Sequence, residues 1–229
     1  MAELRLGVLG GTFNPIHLGH LALAESFRER LALDRVLFVP AGIPPHKDVR
    51  GVAGSLDRYA MVALAVAGHP AFTACDVEVR RAGPSYSVET LETLSGEWPG
   101  ARLFLLMGTD TFLDLPSWRT PERLATWATL AVGRREGSEF DPEAPAARAV
   151  LARLGRRDWQ HIGTTSPEEL AAIGPGEVLL VETRSLPVSA REIRRRLGAG
   201  ESVRYLVPLA VAEYIGQHRL YTEPAAECR

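Results

Sequence analysis

Gly7-Val8-Leu9-Gly10-Gly11-Thr12-Phe13-Asn14-Pro15-Ile16-His17-Leu18-Gly19-His20 is the stretch on which the fold turns. Leu4 to Leu9 ahead of it is an apolar run of strand length, and Leu18 to Leu33 behind it has the spacing of an amphipathic helix. The stretch is therefore a strand-to-helix turn. Adjacent glycines allow positive φ and let a ligand approach backbone that carries no Cβ. Asn14-Pro15 is turn chemistry that delays the helix to about Ile16. His17 and His20 then fall in the first helical turn, spaced i and i+3 so that their rings share one face. They sit beside free N–H groups and the positive end of the helix dipole, where phosphate is favoured. Gly19 leaves the backbone between them open.

Two imidazoles at such a place suit a polyphosphate. Attack on its α-phosphorus builds negative charge on the non-bridging and leaving oxygens, and fixed N–H donors aimed at that charge are worth most in a water-poor site. A nitrogen pair could also hold a metal, but a third ligand at compatible spacing is not evident nearby, and zinc sites use at least three protein ligands. A histidine pair alone reads equally as surface or helix-capping residues. The glycine-rich turn after a strand is what separates the two readings. A dehydrogenase-type fold would show G-x-G-x-x-G here and an acidic residue at the end of the second strand. The turn is instead G-x-x-G-G, and the second strand, Arg35 to Val39, ends in Pro40. A P-loop is excluded because no Lys-Ser/Thr pair follows the glycines.

The chain has 229 residues, a formal net charge of −2 and 46% hydrophobic residues, enough for a real core in one domain. No basic excess speaks for nucleic acid, so a nucleotide must be met by a few local donors. Two distant cysteines, Cys75 and Cys228, make neither a metal motif nor a disulfide framework, which suits a reducing compartment. No leader is evident, and no apolar run approaches the ~18 residues of a membrane span. A soluble cytoplasmic protein without membrane or nucleic-acid partners is expected, and a homo-oligomer stays open.

Gly10-Gly11-Thr12-Phe13-Asn14-Pro15-Ile16-His17-Leu18-Gly19-His20 resembles the GGTFxPxHxGH signature of the superfamily that transfers an AMP or CMP group from a nucleoside triphosphate. Within it the chain is most similar to bacterial nicotinate-nucleotide adenylyltransferases. The resemblance implies ATP and nicotinate mononucleotide as substrates, deamido-NAD and pyrophosphate as products, and magnesium carried on the ATP phosphates. Further motifs extend it along the chain. Pro44-Pro45-His46-Lys47 matches the family's PPHK loop, in which stiffened backbone presents an imidazole and an ammonium to phosphate, although a solvated turn would look the same. Ser85-Tyr86-Ser87-Val88-Glu89-Thr90-Leu91 resembles the xYTxxTL element, with Ser87 keeping the hydroxyl of the usual threonine. Its implied role is recognition of the pyridine carboxylate by N–H groups and the hydroxyls of Ser87 and Thr90 beside Tyr86. A bare helix cap by Ser85 or Ser87 is the competing view.

Leu103 to Met107 is the most apolar run and reads as a buried parallel strand ending in Gly108-Thr109-Asp110. As the fourth strand of a sheet ordered 3-2-1-4-5 it neighbours the first at the switch point, which puts Gly108 and Asp110 beside the histidines. Leu115-Pro116-Ser117-Trp118 completes the family's GxDxxxxLxxW pattern, with Trp118 as a stacking plate for the pyridine ring or, alternatively, an ordinary half-buried tryptophan. Phe72 to Val79, Thr129 to Gly133 and Val178 to Val181 read as further strands. Ser55 to Ala67, Ala144 to Leu154 and Pro208 to His218 read as helices, with another helix start at Ser166-Pro167-Glu168-Glu169. Arg58 is expected to make a structural salt bridge. Val188-Ser189-Ala190-Arg191-Glu192-Ile193-Arg194 corresponds to the ISSTxIR motif, with Ala190 and Arg191 departing from its serine and threonine. Ser189 as N-cap and Arg194 one turn on would turn a hydroxyl, amides and a guanidinium toward one anion.

The expectation is an α/β protein: a doubly wound, Rossmann-like parallel sheet with helices on both faces, one domain over 1–229. Its core would span 1–183, with a C-terminal motif and helical part over 184–229. His17, His20, Lys47 and Arg194 are the candidate catalytic residues. ATP would lie on Gly10, Gly11, Thr12, Phe13, both histidines, Ser189 and Arg194. The acceptor would lie on His46, Lys47, Tyr86, Ser87, Thr90, Gly108, Asp110 and Trp118. Nicotinamide mononucleotide or another phosphomonoester remains the alternative acceptor, and a nucleotide sensor without turnover the remote one.

Overall fold

Apolar runs separated by helices line up as neighbouring parallel strands. The computed structural model describes residues 3–44, 51–135, 139–162, 170, 172–184 and 186–222. Its strands are β1 (Arg5–Gly11), β2 (Arg35–Pro40), β3 (Phe72–Ala74), β4 (Arg102–Gly108), β5 (Thr129–Arg135), β6 (Gln160–Ile162) and β7 (Val178–Thr183). They form one parallel sheet in the order β3-β2-β1-β4-β5-β7-β6. The helices are α1 (Leu18–Arg30), α2 (Ser55–Val66), α3 (Ser87–Glu97), α4 (Thr109–Asp114), α5 (Leu124–Trp127), α6 (Pro145–Arg153), α7 (Ala190–Gly198) and α8 (Leu209–Gln217).

Period-two alternation splits the strand side chains between two cores. Leu9, Phe104 and Leu106 face a core closed by Phe27 of α1, Met61 of α2, Ile193 of α7 and Ile215 of α8. Leu6, Val8, Leu105 and Met107 face another, closed by Leu91 of α3, Phe112 of α4, Leu124 of α5 and Val150 of α6. Helices thus cover both faces, as the doubly wound reading requires. β1 and β4 pair from Arg5↔Arg102 to Leu9↔Leu106, and connections leave this pair in opposite directions, which makes it the switch point.

Several local expectations are corrected. α1 stops at Arg30 because Ala32 turns left-handed at φ 45 and Leu33 N–H bonds Arg28 O, which drives Leu31 and Leu33 into the core. Nor is α1 a surface amphipathic helix, since Glu29 is its one exposed residue. β3 ends at Ala74, and the chain from Asp76 to Arg80 instead closes a turn through Arg80 N–H to Asp76 O. The short edge strand β6 has too few residues to show a pattern. Ser55 opens α2 behind the N-cap Gly54, and Cys75 is a free thiol. The helix start expected at Ser166–Glu169, the residues His46 and Lys47, and Cys228 lie outside the described residues.

Candidate active site

β1 runs through Gly10 and Gly11 without positive φ, and the left-handed residue of the turn is Phe13, at φ 46. The glycines therefore serve by lacking a side chain. A Cβ on Gly11 would stand 3.3 Å from the Phe13 ring, whereas one on Gly10 would meet nothing within 4 Å and faces open cleft. The turn is pinned from below by Arg58, 1% exposed. Its guanidinium donates to Ala53 O at 2.9 Å, Thr12 O at 2.9 Å and Gly42 O at 2.8 Å, so it clamps backbone and does not make the expected salt bridge. Asn14 gathers distant chain in the same way. Its side chain donates to Gly51 O at 3.0 Å and accepts from Ala53 N–H at 3.0 Å and from Tyr221 O–H at 2.7 Å, and its carbonyl accepts from Arg194 Nη1 at 2.7 Å.

His17 is the N-cap of α1 and His20 its third residue, because the helix begins at Leu18, two residues beyond the Ile16 start that the sequence suggests. Their rings stack, centroids 3.7 Å apart and planes 24° from parallel, with Phe13 edge-on to His20 at 5.0 Å. His17 N–H donates to His20 Nδ1 at 3.2 Å, which puts the proton of a neutral His20 on Nε2. His17 is buried, its Nδ1 has no hydrogen-bond partner, and desolvation lowers its pKa to about 4. It is a neutral imidazole at physiological pH. A Cβ on Gly19 would come within 3.0 Å of His17 Nδ1, so this glycine makes room for the ring as well as leaving the backbone open.

Above the carboxyl ends of β1 and β4 opens a cleft of about 1060 Å³. Gly10, Gly11, Thr12, Phe13 and His20 form one part of its wall, with Ala190, Arg191 and Arg194 of α7. Tyr86, Ser87, Gly108, Asp110, Trp118 and Arg119 form another. Of the other expected site residues, His17 lies behind His20 and off the wall. Ser189 is also off the wall: it caps α7, its Oγ accepting Glu192 N–H at 3.2 Å. Thr90 is 2% exposed and turns its hydroxyl down onto Glu78 Oε1 at 2.7 Å.

At the start of α3 the N-cap is Tyr86, with no side-chain cap bond, so neither Ser85 nor Ser87 caps the helix. Ser85 instead accepts Gly42 N–H at 2.9 Å, tying the loop after β2 to α3. Sequence reasoning passed over Asn14, Glu78 and Arg119. Glu78 is a 6% exposed carboxyl on the cleft wall, and burial pushes its pKa up against the opposing pull of Thr90 and Ser85. An isolated glutamate in a charged run gave no sign of this.

A wall of imidazole and guanidinium at the switch point of a parallel sheet suits a phosphate-bearing ligand. Residues 8–196 match the cytidylyltransferase-like family. The probable nicotinate-nucleotide adenylyltransferase of Thermomicrobium roseum is 43% identical over 217 residues, covering 95% of this chain and 91% of that protein. That of Syntrophotalea carbinolica is 41% identical over 218 residues, covering 95% and 97%. The chain belongs to the cytidylyltransferase-like family and, within it, to the nicotinate-nucleotide adenylyltransferases. Its fold is that of the Plasmodium falciparum nicotinic acid mononucleotide adenylyltransferase. Structures of that protein complexed with APC and with NaAD superpose with TM-scores of 0.68 and 0.70 at 15% identity, each covering 95% of this chain and 97% of that one.

Proposed function

We infer that the protein transfers the adenylyl group of ATP to nicotinate mononucleotide, giving nicotinate adenine dinucleotide and pyrophosphate, a step of NAD biosynthesis. The observation that carries this reading is the stacked histidine pair, 3.7 Å between centroids, at the end of β1. Beside it opens a cleft of about 1060 Å³, room for two nucleotides. The attacking group is a phosphate monoester, largely a dianion at neutral pH with a second pKa of ~6, and it needs no general base. One of its oxygens bonds the α-phosphorus as the bond to the β-phosphate oxygen breaks, and pyrophosphate leaves with that electron pair.

Catalysis is then positioning and charge stabilisation. His20, whose neutral ring keeps its proton on Nε2, and Arg194, fixed through Asn14 O at 2.7 Å, supply donors for the charge that develops. ATP lies on the Gly10 to Phe13 turn, and the acceptor on Tyr86, Ser87, Gly108 and Asp110 with Trp118 against its pyridine ring. His46 and Lys47 join the acceptor's phosphate. Magnesium would be held by the ATP phosphates and would supply further positive charge there. No cluster of three metal-ligating side chains occurs among the described residues, and a wall of imidazole and guanidinium suits phosphate oxygens better than a bare cation. No described helix is long and apolar enough to cross a membrane. A cytoplasmic setting goes with the free thiol of Cys75.

The test is pyrophosphate release from Mg-ATP with nicotinate mononucleotide, nicotinamide mononucleotide and unrelated phosphomonoesters. Nicotinate mononucleotide is expected to lead by at least ~10-fold in kcat/KM, because a carboxamide leaves buried donors unpaired at about 1–3 kcal/mol each. ATP binding without turnover of any acceptor would make the protein a sensor and overturn the reading.

A further inference from the structure

We propose that the Arg119 side chain strengthens the preference for an acidic acceptor, an inference that rests on the acceptor reading above. Arg119 follows Trp118 on the cleft wall, and its guanidinium carbon stands 4.5 Å from the centre of the Tyr86 ring. It thus lies over the ring of one residue of the acceptor end and is covalently next to another. Contact with the ring face restricts the guanidinium and lowers the entropy lost when it takes up an anion. Its Nη1 is 3.3 Å from Glu89 Oε1. Glu89 in turn is 3.8 Å from Arg81, which is already committed to the hydroxyls of Thr90 and Thr93 at 3.2 Å each. Arg81 is further engaged through Thr90 with Glu78, whereas Glu89 is the one carboxylate within 4 Å of Arg119 among the described residues.

Among the described residues of this part of the wall, Glu78, Asp110 and Asp114 are acidic, Arg119 is the one guanidinium, and Arg191 and Arg194 belong to α7. The carboxylates disfavour an acidic acceptor and are indifferent to a carboxamide. Arg119 offsets part of that penalty. It is a charge sensor, acting on the acid and not on the amide, whereas the Trp118 ring serves both alike.

The experiment compares kcat/KM for nicotinate and nicotinamide mononucleotides in the unaltered protein and in R119Q, R119K and E89Q. R119Q is expected to lose about threefold or more with the acid, the size of an exposed ion pair, and to stay within about twofold with the amide. R119K keeps part of the acid preference through its charge. E89Q, which releases Arg119 from its carboxylate, widens the preference. Raising salt from about 0.05 to 0.5 M narrows the preference in the unaltered protein and not in R119Q. An R119Q protein that keeps the full preference, or one that loses both acceptors equally, overturns the inference while the acceptor reading stands. Equal use of both acceptors by the unaltered protein overturns the acceptor reading and this inference with it.

Discussion

Burial takes the His17 ring, stacked at 3.7 Å on that of His20, out of water and keeps it neutral. Its depressed pKa of about 4, against 6.5 when exposed, has a definite sign in stability. Between those values the unfolded chain takes up a proton that the folded chain refuses. The contribution of this ring is therefore complete above pH 6.5 and drains away as the pH falls, by about 3 kcal/mol at the limit. Histidine-resolved NMR should give His17 a midpoint near 4, and one near 6.5 would show a ring open to water. His20 has a different task. His20→Ala should lower kcat by ~10²-fold while changing ATP binding far less, since the lost donor serves charge that appears in the transition state. Near-normal kcat with a raised KM would move His20 to ground-state binding.

Among the elements, the joint between the loop after β2 and the start of α3 has the least slack. Gly42 donates its N–H to Ser85 Oγ, accepts from Arg58 through its carbonyl, and lies so close to the Glu78 backbone that a Cβ would stand 2.3 Å from Glu78 O. Backbone cannot give way as a side-chain tip can. Gly42→Ala should cost ~2 kcal/mol or more and raise the KM for the acceptor more than that for ATP, as the α3 edge of the cleft is displaced. Melting and KM values near those of the parent would show that the joint is looser than its contacts. This joint also marks where the sequence stops being readable. β1, β2, β4, β5 and β7 could be read because each holds a short apolar cluster between helical stretches, and the histidine pair because its chemistry is local. Thr90 turning away to Glu78, Arg58 clamping carbonyls and Arg119 lying on Tyr86 are contacts between separate elements. Spacing along the chain contains no trace of them.

At the scale of the whole molecule, Asn14 joins four parts of the chain: its own turn, the loop at Gly51 to Ala53, Arg194 of α7, and Tyr221 after α8. The Tyr221 hydroxyl is a structural donor in a site whose burial pushes the phenol pKa up. Tyr221→Phe keeps the ring and removes the bond, which should cost about 1 kcal/mol and lower the Tm by ~2–4 °C. An unchanged Tm would show that Ala53 N–H alone satisfies the Asn14 side chain.

The same clasp imposes an order in time. Asn14 leaves the ribosome ahead of Arg194 and Tyr221, which follow 180 and 207 positions later. Domains fold from the amino end as they emerge, at ~5–20 residues per second. For ten seconds or more of translation the glycine turn therefore exists without the guanidinium and the phenol that fasten it. A nascent chain can hold strands and histidines, but the cleft is finished only once Arg194 and Tyr221 have been delivered.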